Sequence, residues 1–119
     1  MNETVKKITF ERTSHMQIHV HTDESINNDQ RLTEYVTDLT QSNLEHFSKF
    51  ITTVNVHMSD ENSHKGGAND KKCTIEVRIE KLKPIAVSHN SETLEEALTG
   101  ALDKTHRSLK KVKEKNFNH

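Results

Sequence analysis

The amino-acid sequence predicts an α+β domain in the order β-α-β-β-β-α, a four-stranded sheet with two helices packed on one face. Three observations lead there. Four stretches alternate apolar and polar residues with a period of two, and two longer stretches repeat apolar residues at intervals of three and four. A chain of 119 residues with 30% hydrophobic residues, 4% aromatic residues and no Trp can fill only one thin, mostly aliphatic core. Two layers, sheet and helices, match that supply.

Residues 1–15 show no sustained period, although Ile8 and Phe10 alternate, and they are read as a flexible N-terminal arm. A single domain is then expected over 16–115, followed by a short tail over 116–119. The first strand starts at Met16, with Met16, Ile18 and Val20 on one face and Gln17, His19 and His21 on the other. The polar cluster from Asp23 to Asn28 supplies helix-capping residues. Leu32, Val36, Leu39, Asn43 or Leu44, and Phe47 then recur at helical spacing, so a first helix is expected over about Asp29 to Lys49.

From Ile51 the period returns to two, with Val54, Val56 and Met58 facing one way and Thr53, Asn55 and His57 the other. Ser59 to Asp70, with Gly66 and Gly67, has the composition of a flexible loop. Cys73, Ile75, Val77 and Ile79 alternate with Thr74, Glu76, Arg78 and Glu80 in the cleanest strand of the chain. Lys81 to Pro84 forms a turn into a short fourth strand, Ile85 to Ser88, with Pro84 tolerated at its start. Thr93-Leu94-Glu95-Glu96 has the form of a capping box. Leu94, Leu98, Ala101, Leu102, Thr105, Leu109 and Val112 continue as the apolar stripe of a second helix ending near Lys115.

The net charge of −1 conceals an uneven division. Between Asp23 and Glu61 eight acidic residues face two basic ones, a local balance of −6. From Asp103 onward six basic residues face two acidic ones, a balance of +4. On the second helix Lys104, Arg107, Lys111 and Lys115 fall on one flank of the apolar stripe, and His106, Lys110 and Lys113 on the other. Cations spread over about 15 Å of helix are able to meet several RNA phosphates, where affinity is electrostatic. The same cations also solvate a helix and favour its C-terminal end, so the spacing alone leaves both readings open.

Other chemistry finds little support in the residues. The single cysteine, Cys73, excludes an internal disulfide and a zinc site built from several thiolates, and its inward strand phase points to a buried, inert thiol. His15, His19, His21 and His57 invite a metal reading, but no familiar zinc spacing accompanies them, and no metal ligand or cofactor is assigned. Ser59-Asp60-Glu61-Asn62 and Ser63-His64-Lys65-Gly66-Gly67 match no catalytic or phosphate-loop pattern, so no enzyme activity and no small-molecule substrate are expected. No apolar run approaches the length of a membrane span or a signal peptide, and a cytoplasmic protein without membrane association is expected.

The run Ala97-Leu98-Thr99-Gly100-Ala101-Leu102-Asp103-Lys104-Thr105-His106-Arg107 has a helical glycine, an Asp-Lys pair and an arginine three residues on, before closely spaced lysines. With the element order and the strand Thr53-Val54-Asn55-Val56-His57-Met58, it resembles the ribosome hibernation-promoting factor and ribosome-associated inhibitor family, also called the sigma-54 modulation family. The resemblance covers about Met16 to Lys115. It implies a stress-response factor regulating translation, with the small ribosomal subunit and its rRNA as partners and the messenger and transfer RNA channel blocked sterically. It assigns Lys104, Arg107, Lys110, Lys111, Lys113 and Lys115 to rRNA phosphates.

The first helix of the family is usually basic, whereas here Arg31 is the only cation before Lys49, against Glu34, Asp38 and Glu45. That difference keeps open an alternative, a protein-interaction or stress-response module of the same fold that does not bind the decoding region. Long relatives carry a C-terminal dimerisation domain, and no dedicated dimerisation domain is expected here.

Overall fold

The computed structural model describes residues 16–24, 26, 29–61 and 70–116. The expected N-terminal arm, most of the glycine-containing loop and the end of the tail lie outside the described residues. Within them the order is β1 (Gln17–Thr22), α1 (Gln30–Leu44), a 3-10 turn (Glu45–Phe47), β2 (Ile51–Asp60), β3 (Lys71–Ile79), β4 (Ile85–Ser91) and α2 (Leu94–Asn116). The strands form one sheet in the order β1-β2-β3-β4, with β1 parallel to β2 and the other pairs antiparallel. A parallel pair needs a crossover, and α1 supplies it.

The alternating residues of the two central strands close the core as expected. Val54, Val56, Ile75 and Val77 are each 0% exposed, and Ile79 is 5% exposed. From the helical layer Val36, Leu44, Leu98, Leu102 and Leu109 meet this apolar face. Burying each such aliphatic side chain contributes roughly 1.5–3 kcal/mol relative to exposure. Cys73 belongs to the same layer, and burial pushes its thiol up to about 12, so it stays protonated near neutral pH.

β2 runs on through Ser59 and Asp60, which the composition assigns to the loop, and three further details depart from the sequence reading. The first helix does not run to Lys49; its last turn tightens into the 3-10 turn, closed by Ser48 N–H to Glu45 O (3.1 Å) and Phe50 N–H to Phe47 O (3.2 Å). The tighter turn places Phe47 in the core and lets the chain enter β2 at once. In β2, Ile51 pairs with Ile79 but Thr53 pairs with Arg78, so Thr52 is an extra residue. That bulge reverses the parity, which is why Ile51 and Val54, three apart, are both buried. Finally, β4 continues three residues past Ser88 to Ser91.

The opposite sheet face has no covering layer among the described residues. His21 and His57 stack there with ring centroids 4.6 Å apart, and His21 Nε2 meets Asn55 Oδ1 at 3.1 Å. Among the described residues no group of three or more His, Cys, Asp or Glu side chains is arranged to hold a metal. No described helix is long and apolar enough to cross a membrane.

Candidate nucleic-acid interface

The basic segment is held rigidly because α2 is fixed at its start and along one side. Thr93 Oγ1 accepts the Glu96 N–H at 3.1 Å, which is one half of the expected capping box. Glu96 itself turns to Ser91, whose hydroxyl donates to Oε1 at 3.2 Å. Ala97, Leu98, Ala101, Leu102, Thr105 and Leu109 are buried, with Leu94 and Val112 partly buried against the core. The one polar member of this stripe, Thr105, donates its hydroxyl to Ala101 O at 2.8 Å and so is satisfied within the helix.

One position lets α2 approach β4 closely. A Cβ on Gly100 would overlap the imidazole of His89, which holds the inward phase of β4. The missing side chain makes room for the ring. One turn on, Lys104 Nζ donates to the Ser88 carbonyl at 2.8 Å, so this cation occupies an acceptor on the β4 edge.

The six cations assigned from sequence therefore divide into two groups. Lys104 is engaged with Ser88, and Arg107 forms an i,i+4 ion pair with Asp103. Lys110, Lys111, Lys113 and Lys115 are exposed and have no ion-pair or hydrogen-bond partner among the described residues. The free lysines occupy the last turns of α2, where a cation also meets the negative end of the helix dipole.

The sequence reading did not anticipate what lies beside this row. His106 contacts Phe47 with ring centroids 5.1 Å apart and planes nearly perpendicular at 73°. Thus the 3-10 turn after α1 flanks the His106, Lys110 and Lys113 side of α2. The Asp103–Arg107 pair was legible as an i,i+4 spacing, whereas the approach of Phe47 depends on where α1 ends.

On α1 the charges are opposite. Asp29 caps the helix by accepting the Leu32 N–H at 2.9 Å. Glu34, Asp38 and Glu45 are exposed, and Glu34 accepts from Gln30 Nε2 at 3.0 Å. Tyr35, 41% exposed, is the one large hydrophobic side chain left open among the described residues.

A family model described as sigma 54 modulation protein / S30EA ribosomal protein matches residues 18–116. The chain belongs to that family. Membership places it among ribosome-associated proteins. Two solved structures share the fold at 16% identity. The Protein Y N-terminal domain of Thermus thermophilus superposes with a TM-score of 0.64, covering 82% of this chain and 99% of that one. A ribosomal subunit interface protein from Coxiella burnetii gives 0.65, covering 83% of this chain and 99% of that one, also at 16% identity. No curated protein matches the sequence.

Proposed function

We propose that the protein silences translation by binding the small ribosomal subunit through α2 and occupying the channel used by messenger and transfer RNA. The observation that carries this reading is a set of four exposed lysines without a partner among the described residues, Lys110 and Lys113 on one flank of α2 and Lys111 and Lys115 on the other, on a helix whose apolar stripe is anchored in the core. The anchored helix backbone needs no further ordering when its lysines meet phosphate, and each contact releases counterions. Family membership supports the ribosome as the partner, and one fold neighbour is itself described as a ribosomal subunit interface protein. The action is steric occupation, not catalysis. Lys104 and Arg107 are secondary contacts, because each gives up an existing partner to reach RNA.

The exposed carboxylates of Glu34, Asp38 and Glu45 favour a second reading, in which α1 meets a basic protein partner. Co-sedimentation with purified small subunits over a series of salt concentrations separates the two. Salt-sensitive binding that depends on the α2 lysines supports the first reading. Binding that needs Glu34 and Asp38 but not the lysines supports the second.

A further inference from the structure

Between the 3-10 turn and the C-terminal half of α2 lies a pocket of about 340 Å³ lined by His46, Phe47, His106, Lys110, Lys113 and Glu114. Its chemistry is two-sided. The Phe47–His106 pair forms an aromatic wall, with Phe47 only 4% exposed and so fixed by the core. The exposed imidazole of His46 and the ammonium groups of Lys110 and Lys113 supply hydrogen-bond donors and positive charge at the rim. Glu114 lies one turn beyond Lys110, yet no ion pair joins them among the described residues, so the lysine remains available.

We infer that this pocket seats one nucleotide of single-stranded RNA, with the base against His106 and the phosphate on Lys110 and Lys113. Aromatic stacking and backbone cations together are the means by which proteins hold unpaired nucleotides. Glu114 repels a phosphate placed at its own end of the pocket, which directs the phosphate to the Lys110 side. The inference rests on the proposed RNA-binding role of α2 and makes it more specific, since a plain cation row distinguishes neither bases nor strandedness.

The test measures fluorescence anisotropy of the full chain with a labelled single-stranded RNA pentamer of mixed sequence, beside an abasic pentamer of the same charge. The base-bearing strand is expected to bind about fivefold or more tightly than the abasic one, the range that one stacked base supplies. H46A/H106A, which removes no lysine, is expected to abolish that advantage. H106Q, which keeps a side chain against Phe47 but removes the ring and no lysine, repeats the test should the double variant loosen the fold. K111A/K115A, on the other flank, is expected to weaken both strands alike. Equal binding of the two pentamers by the parent, or an undiminished preference in both histidine variants, overturns the pocket assignment. If small subunits still co-sediment in a salt-sensitive way, only the pocket is refuted; if they do not, the RNA-binding role itself fails.

Discussion

Helices α1 and α2 lie on the same face of one sheet, α1 against β1 and α2 against β3 and β4, and each buries a stripe of apolar residues. Their outer surfaces nonetheless carry opposite charge, with Glu34 and Asp38 on one, followed by Glu45 in the 3-10 turn, and Lys110, Lys111, Lys113 and Lys115 on the other. Burial of a stripe fixes where a helix goes and leaves its exposed positions free to vary. The pair thus separates what the fold requires from what binding requires: the stripes share one chemistry, and the surfaces do not.

The largest expected effect comes from removing that difference on the basic side. K110A/K111A/K113A/K115A should lower small-subunit affinity by roughly a hundredfold or more at low salt, since four phosphate contacts and their released counterions are lost together. Its thermal midpoint should stay near that of the parent, because all four side chains are exposed. K104A/R107A should cost less, as both residues begin with partners.

Gly100 tests the close seat of α2 on β4. Gly100→Ala should destabilise by about 1–3 kcal/mol in chemical denaturation, because the added methyl overlaps the His89 ring and forces it or the helix to move. In an H89A background the sign should reverse, since alanine then gains up to about 1 kcal/mol of helix propensity over glycine. A destabilisation unchanged by H89A would show that the ring is not the obstacle.

Charge reversal on α1 sharpens the comparison from the other side. E34K/D38K should tighten small-subunit binding several-fold if α1 faces RNA, an increment of about 1 kcal/mol, and leave it unchanged if α1 faces away. The smallest effect concerns the β3–β4 turn, where Lys81 has a φ of 67° in the left-handed region. Lys81→Gly should raise stability by about 0.5–1 kcal/mol in the same denaturation assay, because glycine adopts that backbone without the side-chain penalty.

Much of this was legible in the residues, and the failures have local causes. The alternation through Cys73, Ile75, Val77 and Ile79 and the stripe from Leu94 to Val112 survive intact, because burial there follows the bare period of a strand or helix. The fourth strand reads short because His89, Asn90 and Ser91 are polar; His89 holds the inward phase only because Gly100 lies above it, a contact across separate elements. The end of α1 depends on a tertiary choice, the entry of Phe47 into the core, that helical periodicity does not encode. In the interface, the row of cations was visible as spacing. Which cations are free was not, since Lys104 finds its acceptor sixteen residues away on β4.

The central claim is that free lysines at the end of α2 carry the contact with ribosomal RNA, and its most direct test is the slope of log affinity against log salt. Small-subunit binding would be measured for the parent and for K110A/K111A/K113A/K115A between low and moderate salt. The variant's slope should be shallower by about 2.8–3.6 if all four lysines contact phosphates, at roughly 0.7–0.9 for each. A folded variant with the parent's slope and affinity would contradict the account and return the function to the acidic surface of α1.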